Sequence, residues 1–167
     1  MFDNLSEKFT VVFLGDTKKP AHFLLLKRAE WKSFAPNLYT SFGGKFEEGE
    51  TPLQCAEREL KEETGITNVP LVEFGRLIIN HKRVICLFFG VYNPAVLPEC
   101  TEGTVERVSV EGVFDKDLIP TARVYLQEWN KRNWDVQTPF TIFYERENIL
   151  DVNAKVISEQ IQEGLLE

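Results

Sequence analysis

The chain has 167 residues, 43% of them hydrophobic and 27% charged, the proportions of one compact domain that buries its core without a disulfide or metal staple. Nineteen basic residues against 26 acidic ones give a formal charge of −7, and no basic run tracks a nucleic-acid backbone, so binding to a charged polymer is excluded as a leading role. The longest apolar stretch, Val84 to Tyr92, is about half of what a bilayer-spanning helix needs. Met1-Phe2-Asp3-Asn4 opens no apolar signal core, and Cys55, Cys86 and Cys100 lack disulfide or zinc spacing. These features lead to the expectation of a cytoplasmic protein that binds neither nucleic acid nor membrane. Its oligomeric state is open, a homodimer included.

In chain order, β-branched and aromatic runs predict strands over Phe9 to Leu14 and His22 to Leu26, joined by a Gly15 to Pro20 loop, and a third over Tyr39 to Phe42. Next comes the clearest helix, Pro52 to Thr64. Thr51 suits the N-cap with Gln54 completing a capping box, Pro52 suits the first turn, and Gly65 suits the left-handed C-terminal position. Leu53, Ala56 and Leu60 are expected to form its apolar face.

Strands follow over Leu71 to Ile79 and Val84 to Tyr92, with a turn at Asn80-His81-Lys82, and then over Val105 to Phe114. Val84 to Tyr92 is apolar at both parities, as a central strand covered on both faces would be. A second helix, Pro120 to Lys131, carries Ala122, Tyr125, Leu126 and Trp129 on one face. From about residue 133 a C-terminal extension is expected to add a strand at Phe140 to Tyr144 and a helix with Asp151 as N-cap that carries Val152, Val156 and Ile161 toward the end of the chain. The fold class is α/β (α+β), a mixed sheet between helices, within a single domain over 1–167.

Charge is unevenly spread along the chain. Seven of 20 glutamates fall between Glu47 and Glu63, and this 17-residue window nets −5. On the capped helix, Glu59, Glu62 and Glu63 stand at i, i+3 and i+4, close enough to repel one another. Arg58 offsets only part of that charge. An all-oxygen cluster of this kind suits a hard divalent cation such as Mg²⁺ or Mn²⁺.

Gly44, Glu50 and the run Arg58-Glu59-Leu60-Lys61-Glu62-Glu63-Thr64-Gly65-Ile66 are spaced as G-x5-E-x7-R-E-U-x-E-E-x-G-U, with U a bulky aliphatic residue. The pattern resembles the signature of the Nudix hydrolases, and every fixed position is filled. The resemblance covers roughly Phe9 to Lys131 and implies an α/β/α sandwich that cleaves a diphosphate linkage in nucleoside diphosphate-X substrates. It further implies that Glu59, Glu62 and Glu63, with the Gly44 carbonyl, hold divalent metal, that Glu62 and Glu63 with Arg58 are the catalytic set, and that Glu50 and Arg58 orient the carboxylates.

Lys45, Arg28 and Tyr39 are the substrate-binding candidates, with Lys27 and the aromatic residues Trp31 and Phe34 nearby. The water-activating base is expected on the helix or at Glu99, Glu102 or Glu106. His22 and His81 read as structural, and Trp129 as core. Tyr39-Thr40-Ser41-Phe42-Gly43-Gly44-Lys45 is similar to the run found in oxidised-purine triphosphatases, but Thr40 replaces a base-reading asparagine. The sequence favours a MutT-like enzyme acting on a nucleoside triphosphate or modified dNTP and giving the monophosphate and pyrophosphate. ADP-ribose or a nucleotide sugar is the alternative, and a non-catalytic nucleotide sensor comes after it.

Overall fold

The computed structural model describes residues 5–145 and 148–149. Among these residues nine strands join one sheet that lies between two helices. They are β1 (Glu7–Gly15), β2 (His22–Arg28), β3 (Tyr39–Thr40), β4 (Phe42–Lys45), β5 (Leu71–Ile79), β6 (Arg83–Val91), β7 (Gly103–Ser109), β8 (Phe140–Glu145) and β9 (Asn148–Ile149), with α1 (Pro52–Thr64) after β4 and α2 (Pro120–Lys131) after β7.

β1 runs parallel to β6 along its whole length, from Glu7 opposite Arg83 to Gly15 opposite Val91. On its other side it pairs antiparallel with β4 and, at its end, with β2. β5 sits between β6 and β8, and β2 carries β7 along its second edge.

Strand parity divides the core into two layers. On β6, Ile85, Leu87 and Phe89 join a cluster with Tyr125 and Trp129 of α2, whereas Val84, Cys86 and Phe88 face Ala56 and Leu60 of α1. Val84 through Phe89 are all buried, as the two-sided apolar pattern requires. The architecture is therefore an α/β/α sandwich. Trp129 is its centrepiece on the α2 side, fully buried and stacked on Phe74 with ring centroids 3.9 Å apart, its indole N–H donating to the Asp135 carbonyl at 3.0 Å.

Both ends of α1 form as their residues dictate. Thr51 Oγ1 accepts from Gln54 N while Gln54 Oε1 accepts from Thr51 N, and Gly65 takes φ 77° with its N–H on the Lys61 carbonyl. The Asn80-His81 turn has φ of 53° and 55°, the paired left-handed geometry of a tight hairpin. His81 bonds Glu145 and His22 bonds Asp16.

Three expectations need correction. The segment expected as one strand over Val105 to Phe114 ends at Ser109, where Gly112 N turns back onto Ser109 and a single 3-10 turn, Val113–Asp115, buries Val113. Tyr39 to Phe42 is two strands, because the chain leaves β2 for β1 at Ser41, whose hydroxyl donates to the Val12 carbonyl. Leu53 is 42% exposed, and the buried face of α1 is Cys55, Ala56, Leu60 and Glu63. The expected strand after residue 133 is β8. The helix expected from Asp151 lies outside the described residues.

Candidate active site

α1 follows β4 after a short turn, and one guanidinium knits the two together. Arg58 donates from Nε and Nη2 to the two Glu50 oxygens at 2.7 and 3.0 Å, from Nη1 to Glu59 and Glu62 at 3.0 Å each, and from Nη2 to the Lys45 carbonyl at 3.0 Å. The fixed fork of arginine suits such a multiply shared position. Hydrogen bonding to Arg58 holds the Glu50 carboxyl below the usual carboxylate range.

Glu63 stands apart. It is 7% exposed on the helix face that packs under the sheet, its Oε1 accepting from Gly43 N at 3.2 Å and its Oε2 facing the Cys100 thiol at 3.9 Å. Burial, joined by the neighbouring charges of Glu59 and Glu102, pushes its pKa up from 4.5 to about 8. The two glycines permit close approaches of different kinds. A Cβ on Gly43, whose φ is 152°, would lie 2.0 Å from the Thr10 carbonyl oxygen of β1, which only glycine allows, and one on Gly44 would lie 2.5 Å from Glu59 Oε1 and push that carboxylate aside.

A buried carboxyl that resists ionisation beside a second carboxyl is a site short of positive charge. The charge of Glu59 helps to raise the Glu63 pKa, and the oxygen-only chemistry of the two carboxylates fits a hard divalent cation. Glu62 is 58% exposed and turned to Arg58. Accordingly, among the described residues no three metal-ligating side chains are gathered into a ready shell.

The raised Glu63 pKa sets a pH dependence with a definite sign. Between pH 4.5 and about 8 the folded protein binds a proton at Glu63 that the unfolded chain has released, so metal-free stability falls as pH rises through that window. Glu7, Asp16, Glu50 and Asp135 are shifted downward instead and act below it. Thermal melts in EDTA from pH 5 to 9 should show this decline, and Glu63→Gln should flatten it. An unchanged slope in the variant would contradict the assignment.

Next to the cluster is a cleft of about 480 Å³ whose walls include Arg28, Lys32, Lys45, Arg83, Phe9 and Phe34. Gly43, Gly44 and Glu102 also line it, so cleft and carboxylate cluster meet there. The Arg28 guanidinium lies over the Phe34 ring at 5.2 Å and donates to the Phe34 carbonyl at 3.0 Å. Arg83 covers Phe9 at 5.4 Å and pairs with Glu7. The walls are thus cationic, with aromatic backing.

Of the substrate-binding candidates, Arg28 and Lys45 line the cleft and Tyr39 does not. Tyr39 is buried, donates to Glu106 at 2.9 Å and has Lys27 and Lys116 over its ring. Parity is the reason, since Tyr39 pairs with Lys27 whereas its neighbour Thr40 turns into the cleft. Trp31 is 69% exposed, and Phe34 is the aromatic residue of that loop that reaches the cleft.

Among the candidate bases, Glu106 is engaged by Tyr39 and Lys116 and Glu99 is exposed, while Glu102 faces both the cleft and Glu63. Sequence reading missed Lys32 and Arg83. Each meets the site through a partner 70 or more residues away, and no local pattern signals such contacts.

A family model for the NUDIX domain matches residues 6–129. The chain belongs to the Nudix family. The uncharacterized Nudix hydrolase YfcD of Escherichia coli K12 is 29% identical over 119 residues, 66% of this chain and 65% of that protein. This chain therefore spans slightly less than two thirds of the length of the first such relatives. A Nudix hydrolase of Yersinia pestis is 28% identical over 127 residues, 70% of each chain.

Among solved structures, the MutT protein of Bacillus halodurans shares the fold with a TM-score of 0.63 at 20% identity, over 87% of this chain and 95% of that one. The E. coli dihydroneopterin triphosphate pyrophosphohydrolase does so with a TM-score of 0.58 at 20% identity, over 77% and 99%. The Nudix signature from Gly44 to Ile66 corresponds here to β4, the following turn and α1, with Glu50 and Arg58 tying turn to helix. Among the described residues no helix is long and apolar enough to cross a membrane.

Proposed function

We propose that this Nudix chain is a divalent-metal-dependent pyrophosphohydrolase of nucleoside diphosphate-X compounds. Its substrate in this reading is a nucleoside triphosphate or modified dNTP, converted in the cytoplasm to monophosphate and pyrophosphate. The observation that carries the reading is the buried Glu63 beside the half-buried Glu59, set against a cleft walled by Arg28, Lys45 and Arg83.

Glu59, Glu63 and the Gly44 carbonyl would hold Mg²⁺ or Mn²⁺, with Glu62 joining from the helix surface. When bound, such a cation lowers the pKa of water and neutralises phosphoryl oxygens. The chain's own groups do the rest. Arg58 keeps Glu59 and Glu62 in place through its link to Glu50. Arg28 and Lys45 orient the phosphates. Glu102, at the junction of cleft and cluster, accepts the proton of the attacking water.

A panel of nucleoside triphosphates, oxidised dNTPs, ADP-ribose and nucleotide sugars, assayed with Mg²⁺, tests the reading. Triphosphates should turn over with the highest kcat/KM, and excess EDTA should abolish turnover. Mg²⁺ should raise Tm, because it binds the folded cluster and relieves carboxylate repulsion that the unfolded chain hardly feels. Full turnover in EDTA would remove the metal from the account, and preference for ADP-ribose would replace the substrate class.

A further inference from the structure

Lys32 lies in the loop between β2 and β3, and its Nζ stands 2.9 Å from Glu102 Oε2 across 70 residues of sequence. The backbone repeats the link. Ala29 N donates to the Glu102 carbonyl at 3.0 Å, and Lys32 N turns back onto the Ala29 carbonyl at 3.2 Å. The residue before Glu102, Thr101, donates its N–H to the Glu63 carbonyl at 3.2 Å. Lys32 and Glu102 both line the cleft, with side chains 20% and 35% exposed. The β2–β3 loop, the loop before β7 and the end of α1 are thereby tied in series, with Lys32 at the start and Glu63 at the end.

Partly exposed ion pairs add little to stability, so this one matters for placement instead. Glu102 is part-exposed, and without this partner its long side chain would be free to take other orientations over the cleft. We infer that Lys32 is a positioning residue that fixes Glu102 in place, so that the Glu102 carboxylate stays aimed at the water it deprotonates. The inference rests on the hydrolytic reading above. A lysine that acted on phosphate instead would affect substrate binding first, and that difference can be measured.

The test is a double-mutant cycle on the full chain, with Mg²⁺ and the triphosphate most active in the panel. Lys32→Ala and Lys32→Gln should each lower kcat about ten- to a hundredfold, the range seen when a supporting partner of a reactive group is lost, with KM changed less than about threefold. Lys32→Arg, which keeps the charge, should recover most of the rate. In a Glu102→Gln background, Lys32→Ala should cost less than about a further twofold, because its effect travels through Glu102. Tm of the lysine variants should stay within about 4 °C of the unsubstituted protein.

Additive losses, or a rise in KM with kcat unchanged, would make Lys32 a phosphate contact and overturn the inference. Full activity of Glu102→Gln would overturn it as well, while leaving metal-dependent hydrolysis intact. Failure of the unsubstituted protein to hydrolyse any compound in the panel would remove both.

Discussion

Glu63→Gln should lower kcat about a thousandfold and leave the metal-free protein as stable as before, or more so. Glutamine keeps the volume and helix preference of the side chain and mimics the protonated carboxyl that burial favours. It can still accept the Gly43 N–H through its amide oxygen. It cannot supply the negative charge that a divalent cation requires, and loss of one key electrostatic group costs about 10²- to 10³-fold in rate. Kinetics at saturating Mg²⁺, together with melts of the metal-free protein, separate the two effects. If the variant unfolds while its folded fraction remains active, Glu63 is structural and the assignment fails.

Replacing Arg58 should damage fold and activity together. Its side chain is 21% exposed and satisfies Glu50 and Glu59, which are only 14% and 16% exposed. Arg58→Met leaves those carboxylates without their cation, and stranding partly buried charges in this way costs about 3 kcal/mol. Arg58→Lys should recover little, because an ammonium is a point donor and cannot bridge two glutamates and the Lys45 carbonyl in one plane. Mg²⁺ should raise Tm more in Arg58→Met than in the unsubstituted protein, since its acidic cluster is less neutralised. Denaturant titrations with and without Mg²⁺ check both statements. Equal Mg²⁺ effects in the two proteins would dissociate Arg58 from the metal site.

Features governed by neighbours in the chain were legible in the sequence. The capping box at Thr51 and Gln54, the Gly65 stop and the two-sided burial of Val84 to Phe89 follow from local stereochemistry and strand parity. The glutamate spacing on α1 was legible for the same reason. Which of the three glutamates is buried was not, because that depends on the roll of the helix against β4 and β1. The burial begins at Cys55 and runs through Ala56 and Leu60 to Glu63, passing Leu53 by.

Tyr39 illustrates the limit from another direction. Its position beside the Gly-Gly-Lys segment was apparent, but whether its ring entered the cleft turned on the pairing of β3 with β2. That Glu102, and neither Glu99 nor Glu106, lines the cleft is likewise a matter of tertiary placement, set by the Lys32 link and the Thr101 contact with α1.

In the proposed reaction the carboxylate cluster directs water to a phosphorus within the diphosphate. Hydrolysis of a nucleoside triphosphate in ¹⁸O-labelled water with Mg²⁺, followed by mass spectrometry of the products, locates the bond that breaks. The expected products are nucleoside monophosphate and pyrophosphate, with label in one of the two and the glycosidic and sugar-ester bonds intact. Release of free base would rule out attack at the diphosphate.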